Sequence, residues 1–251
     1  MIGVFDSGVG GLTVLRAMRD VFPSIDVVYF GDTKNAPYGE RSREELSALT
    51  VAGLQFLLGH GATNIVSACN SVSASLAVSL FDAFSLAPGQ LIEMVGPTVA
   101  AFRGSKEKVA LCATNATINS GIYQDAFRMI GVDIQGLPIP QLAGAIEAGE
   151  PESTLDAIVA DAFKNIGRNF DTIVLGCTHY PLALSSFKKV LGDIELFDPA
   201  HMVAARVERD LWPREVGNGT TKFFISKDSD VFRRLIPQLF PESTYSLEVL
   251  E

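Results

Sequence analysis

Apolar residues in this chain gather in short unbroken runs, separated by longer stretches with helical spacing. The runs Ile2–Phe5, Val27–Phe30, Asn64–Ser67, Val109–Ala113 and Thr172–Leu175 have strand length. They are continuous rather than alternating, as in strands buried on both faces. Between them, Leu12–Val21, Arg43–Leu58, Leu155–Ile166 and Ser185–Leu191 carry apolar residues at helical spacing. Strands alternating with helices predict an α/β fold with mostly parallel sheets, each layered between helices. Proline and glycine punctuate the pattern at Ala87-Pro88-Gly89, Gly96-Pro97, Pro138-Ile139-Pro140 and Trp212-Pro213.

A distant internal repeat runs through these strands. The strand VFD ends at Asp6 and ALCAT ends at Thr114; NIVSAC ends at Cys69 and TIVLGC ends at Cys177, an offset of 108 residues in each case. Two strand ends matched at one spacing predict two similar α/β halves. In open α/β sheets ligands gather at the carboxyl ends of strands, which is where all four residues fall.

Composition narrows the function classes. The 251 residues are 47% hydrophobic and 20% charged, enough for one large or two modest globular domains. The net charge of −9 argues against a nucleic-acid or anionic-membrane partner. No apolar run reaches the ~18 residues of a membrane span. The opening MIGVFDSGVGG lacks a basic and an apolar leader region, so a cytoplasmic location is expected. Three cysteines without a CxxC read as reduced thiols, and no HExxH or clustered His/Cys set suggests a metal.

Cys69 and Cys177 are the first candidates for chemistry. Each follows an apolar strand and precedes a small polar pair, Asn70-Ser71 and Thr178-His179. A thiol can serve in proton transfer when its surroundings tune its ionisation; it can also be a small buried hydrophobe. Occurrence at equivalent positions of two halves favours function. Cys112, inside Val109–Ala113, reads as core. Asp6–Gly11 (DSGVGG) is a glycine-rich strand-to-helix turn whose glycines would permit unusual dihedrals and an anion at the helix start; alternatively Asp6 or Ser7 caps the helix. It is not a dinucleotide fingerprint, since the third glycine would fall at Thr13, nor a phosphate-binding loop with Gly-Lys. Thr114, Thr117 and Ser120 either cap a helix or offer hydroxyls to a carboxylate. Asp32–Arg41 reads as a loop with Tyr38-Gly39 at its tip, an ordinary surface turn or a cover for a site. His179 could exchange a proton with Cys177. Glu147, by periodicity alone, is a solvated helix residue.

Taken together, Asp6–Gly11, Pro37–Gly39, Ala68-Cys69-Asn70-Ser71-Val72-Ser73-Ala74 and Leu175–Pro181 (LGCTHYP) resemble the signatures of the glutamate racemases, in the cofactor-independent aspartate/glutamate racemase superfamily. The order is the family's and spans nearly the whole chain. Ser71 stands where the family usually has Thr, Val72 where it has Ala, and Ala113 where it has Gly; none of these removes a catalytic group.

The resemblance implies two α/β domains, 1–92 with 208–251 and 93–207, and an active site in the cleft between them. It implies Cys69 and Cys177 as the two catalytic bases, with Asp6, His179 and Glu147 as the polar groups beside them, Asp6 serving Cys69 and His179 serving Cys177. Substrate binding would fall to Asp6, Ser7, Tyr38, Gly39, Asn70, Ser71, Thr114, Thr117, Thr178 and His179. No cofactor or metal is expected. The expected partner is glutamate, with no nucleic acid or membrane, and a homodimer is compatible. The product would be D-glutamate for peptidoglycan. Three other readings stay open on the residues: racemisation of another amino acid, a catalytically idle binding module for small carboxylates, and a thiol hydrolase using Cys177 and His179.

Overall fold

The computed structural model describes residues 1–75, 89–164, 166, 169–211 and 217–250. The punctuation at Ala87-Pro88 and Trp212-Pro213 lies outside the described residues. Among the described residues ten strands form two sheets: β1 (Ile2–Asp6), β2 (Val27–Gly31), β3 (Asn64–Ser67), β4 (Leu91–Ile92), β9 (Thr221–Ile225) and β10 (Tyr245–Val249) in the first, and β5 (Val109–Ala113), β6 (Ile134–Pro138), β7 (Thr172–Gly176) and β8 (Glu195–Phe197) in the second. Every recorded pairing is parallel.

The strand order is β10-β9-β2-β1-β3-β4 in one sheet and β6-β5-β7-β8 in the other. The second order repeats the last four strands of the first, with β5 in the place of β1, β6 of β2, β7 of β3 and β8 of β4. The internal repeat read from the sequence is therefore a repeat of topology. β9 and β10 extend the first sheet beyond β2. In both sheets the chain goes to one side of its first strand and then crosses to the other. That reversal leaves a crevice beyond the carboxyl ends of β1 and β3, and of β5 and β7.

Side-chain alternation shows how each sheet is covered. Ile2 and Val4 of β1 join Leu12 and Leu15 of helix α1 (Gly11–Val21), whereas Phe5 joins Leu54 and Leu57 of helix α2 (Arg43–Gly59). In β5, Leu111 and Val109 pack with Tyr123 and Phe127, while Ala110 and Cys112 face the opposite cluster. Cys112 is fully buried there, as core. That cluster is continuous from Ile2 and Val4 to Ala110 and Cys112, so one apolar core serves both sheets. α2 begins with a capping box, Ser42 and Glu45 each bonding the other's backbone N–H.

Element bounds shift modestly from expectation. The helix expected over 155–166 is Glu152–Phe163, starting directly after Pro151, which ends the preceding turn without closing the new helix to an N–H it lacks. Helix Ala200–Leu211 runs unbroken through the expected 207/208 boundary and packs on α1, because its apolar face, Val203, Ala204, Val207 and Leu211, is buried in the shared core. Among the described residues no helix is long and apolar enough to cross a membrane.

Two glycines of α2 separate packing from propensity. A Cβ on Gly53 would stand 2.5 Å from the Phe5 ring, whereas one on Gly59 would meet nothing within 4 Å. Gly53→Ala should lower the unfolding free energy by about 1–3 kcal/mol through overpacking. Gly59→Ala should raise it by about 0.5–1 kcal/mol. Urea denaturation of the pair checks both signs.

Candidate active site

The two crevices face one another across a small cavity of about 10 Å³, roughly the room of one water molecule. Cys69 follows β3 and Cys177 follows β7, and both line it. Ser7, Tyr38, Gly39, Asn70, Ser71, Thr114, Thr178 and His179 line it as well, joined by Pro37, part of the Pro37–Gly39 signature, and by Ala143, which the sequence did not single out. Asp6, Thr117 and Glu147 stand behind this lining and bond to it. A second, larger space of about 570 Å³ shares Gly39 and Ser71 with the cavity and reaches the surface past Arg41 and Arg43. Ser120 belongs to that outer space, and its hydroxyl donates to the Thr117 carbonyl.

The glycine-rich turn works by absence of side chains. Gly8, Gly10 and Gly11 have none of the positive φ values that their sequence suggested. What they provide is room. A Cβ on Gly8 would fall inside the Glu147 carboxylate, and one on Gly10 would lie 2.5 Å from His179 Nδ1 and Thr178 Oγ1. Neither Asp6 nor Ser7 caps α1; Gly10 precedes that helix and no side chain closes it. Asp6 instead accepts from Gly8 N–H at 2.8 Å and from the Thr178 hydroxyl at 3.1 Å.

Glu147 reverses its periodicity reading. Its side chain is 11% exposed and turned inward, where one carboxylate oxygen accepts from Val9 N–H at 2.7 Å and pairs with His179 Nε2 at 2.6 Å. Two buried donors outweigh the solvation that a surface position would offer. The other ring nitrogen, Nδ1, lies 3.7 Å from the Cys177 sulfur. Burial opposes charge on this imidazole, but Cys177 and Glu147 together hold its pKa well above the usual histidine value.

Cys69 has different surroundings. Burial, followed by the nearby Asp6 carboxylate, pushes its thiol well above the ordinary range, against smaller opposing contributions from Val72 N–H and the Ser7 hydroxyl. The Ser7 hydroxyl lies 3.8 Å from its sulfur. Asp6 acts on Cys69 through its field; its carboxylate accepts from Gly8 and Gly11 N–H and from the Thr178 hydroxyl. Burial also raises the Asp6 pKa, although His179 pulls the other way.

The remaining lining is a set of neutral hydroxyls and amides. Thr114 caps the helix Asn115–Ser120 and also meets the Ser71 hydroxyl at 3.0 Å, so capping and site lining are one arrangement. Thr117 closes the group, 3.2 Å from Thr114 and 3.5 Å from Ser71. The loop tip at Tyr38-Gly39, open between a surface turn and a cover, is buried, because Tyr38 reaches inward and donates to the Asp32 carboxylate at 2.6 Å. Asp32 also accepts from Ser226 at 2.6 Å and Asn35 at 2.9 Å. Tyr123, whose hydroxyl meets Asn70, carried no sequence signal, since its partner is distant in the chain; Asp32 read only as the start of its loop, and it holds Tyr38, six residues on, as well as Ser226. Among the described residues no group of three or more His, Cys, Asp or Glu side chains could hold a metal ion.

Comparison with known proteins places this geometry. The family model described as Asp/Glu/Hydantoin racemase matches residues 12–207. A glutamate racemase from Aquifex aeolicus is 34% identical over 244 residues, covering 96% of this chain and 94% of that protein. The crystal structure of glutamate racemase isoform RacE1 from Bacillus anthracis superposes with a TM-score of 0.88 at 28% identity, covering 100% of this chain and 97% of that one. A glutamate racemase from Francisella tularensis, solved in complex with D-glutamate, gives a TM-score of 0.86 at 26% identity, with 100% and 97% coverage.

The Glu147–His179 contact generates a pH prediction. A folded-state pKa above the unfolded value means that the stability from this proton is full below about pH 6.5 and fades as pH rises through the folded midpoint. Glu147→Gln keeps an acceptor but removes the charge. Its His179 midpoint should fall toward the ordinary value in an NMR titration, and its stability deficit should be largest at low pH. An unchanged midpoint would contradict the assignment.

Proposed function

The chain belongs to the Asp/Glu/Hydantoin racemase family, and we propose that it interconverts L- and D-glutamate by two-base proton transfer at the α-carbon. The observation that carries this reading is the pair of buried thiols, Cys69 and Cys177, at equivalent strand ends of two sheets and lining one cavity. Inverting Cα requires a base on one face and a proton donor on the other. A repeated strand end, presented from two sides, supplies both without turning the substrate.

In the proposed step one thiolate takes the α-proton and the electron pair left on Cα spreads into the adjacent carboxylate. The opposite thiol delivers its proton to the other face, so the two sulfurs exchange protonation states as the configuration inverts. The surroundings of the two sulfurs are unlike: burial and Asp6 keep Cys69 as a thiol, whereas Cys177 stands beside the His179 ring, itself paired with Glu147. Ser7, Asn70, Ser71, Thr114 and Thr178 are neutral donors for the substrate carboxylates, with Tyr38 and Gly39 as the covering wall and Thr117 holding Thr114. Neutral local donors let a chain of net charge −9 bind a dicarboxylate. They also meet the charge developing on the α-carboxylate in a water-poor site. The 10 Å³ cavity is far smaller than any amino acid, so the two facing strand-end crevices would part for entry and close for chemistry. The D-glutamate made would serve peptidoglycan synthesis in the cytoplasm.

A second reading draws on the Cys177–His179–Glu147 chain, which has the connectivity of a thiol hydrolase. It gives Cys69 no task. Both readings are separated by following L-glutamate in D2O, with α-proton loss read by NMR and optical activity by circular dichroism. The wild-type protein should exchange the α-proton and lose optical activity, and Cys69→Ser or Cys177→Ser should each slow racemisation by at least about 10²-fold. Full-rate racemisation by Cys69→Ser would sink the two-base reading. Acyl-enzyme formation on a thioester, retained in Cys69→Ser, would favour the hydrolase.

A further inference from the structure

We propose that Tyr123 is a positioning residue: its hydroxyl reaches across from the second half and fixes the Asn70 side chain so that the amide NH2 faces the cavity as a donor for a substrate carboxylate. This rests on the racemase reading above and adds a residue to it. Asn70 opens helix α3 (Asn70–Ser75), directly after Cys69, and is 2% exposed. Tyr123 lies in the helix Ile122–Met129 and is fully buried. Its hydroxyl donates to Asn70 Oδ1 at 2.5 Å. Asn70 Nδ2 is buried and has no hydrogen-bond partner among the described residues.

The two ends of an asparagine amide have nearly the same shape and opposite chemistry. Turned one way, Asn70 offers N–H groups to the cavity and binds a carboxylate. Turned the other way, it presents a carbonyl that repels one. No backbone feature chooses between them, so the choice falls to the group bonded to the far end. Tyr123 is suited to that task. Burial keeps its phenol from ionising, so it remains a donor at neutral pH. Its ring is locked with Phe127, Val99 and Leu111 in the core of the second half. The unpartnered amide donor costs free energy until an acceptor arrives, and a carboxylate in the cavity supplies one. Asn70 is thus held ready as a donor before substrate enters.

Tyr123→Phe removes the hydroxyl and keeps the ring. The expected result, in glutamate racemisation followed by circular dichroism, is a KM raised ~10-fold for both enantiomers, with kcat nearly unchanged and an unfolding midpoint close to wild type. The same substitution placed in an Asn70→Ala background should change KM no further, because Tyr123 acts through Asn70. An effect of equal size in both backgrounds, or an unchanged KM in Tyr123→Phe, would overturn the inference. Asn70→Asp supplies a test that leaves Tyr123 in place. It keeps the oxygen that Tyr123 bonds and replaces the donor by a carboxylate oxygen, so it should fold and lose glutamate turnover at concentrations that saturate wild type. Wild-type KM in Asn70→Asp would overturn the inference even if Tyr123→Phe failed to fold. Absence of racemisation in the wild-type protein would overturn the substrate reading and this inference with it; the variant results overturn the inference alone.

Discussion

The Glu147 carboxylate is the contact on which the site depends. A charged group at 11% exposure is tolerable only where donors replace its lost water, and Glu147 finds two. One is Val9 N–H, from the glycine-rich turn after β1; the other is His179, after β7. A single oxygen therefore ties the first half to the second at the carboxyl ends of their central strands. The surrounding sequence follows from this. Gly8 has no Cβ because the carboxylate occupies that space, and Gly10 has none because His179 and Thr178 do. The Thr178 hydroxyl bonds Asp6 and the Thr13 hydroxyl donates to the Thr178 carbonyl, which reinforces the same junction.

This junction makes two similar strand ends chemically unlike. The topological repeat alone would give equivalent thiols. Around Cys177 it is decorated with an imidazole backed by a carboxylate; around Cys69, with a buried carboxylate and a serine hydroxyl. The second setting, through burial and the Asp6 carboxylate, disfavours a charged sulfur.

Opposite the junction, hydroxyls and amides line the cavity without formal charge. Ser71 meets Thr114 and Thr117 across the halves, and Tyr123 meets Asn70. Tyr38 is drawn down from its loop by Asp32, which is itself bonded to Ser226 at the end of β9. The wall around the thiols is thus assembled from segments far apart in the chain, each held by a buried partner. Such networks fix geometry because an unpaired member at this depth is costly, and the described residues leave that cost open at Asn70 Nδ2.

The amino-acid order determined the layered α/β class, the parallel strands and the duplicated strand ends, because continuous apolar runs and a constant offset are local or periodic properties of a chain. It also marked Cys69 and Cys177, whose flanking residues repeat. The tertiary structure decided what periodicity could not. Glu147 looked solvated because helical spacing records neighbours along the helix, not the His179 and Val9 N–H groups that fold against it. The DSGVGG glycines suggested special dihedrals, but Gly8 and Gly10 leave space for side chains more than a hundred residues away, and Gly11 for Asp6 and Tyr29. Tyr123 had no signal because a single long-range hydrogen bond leaves no pattern in the sequence. Which residues form the elements is written in short-range hydrophobic spacing; which polar atoms meet at their ends is settled only when the two halves close on one another, because buried polar atoms must then find their partners within the protein.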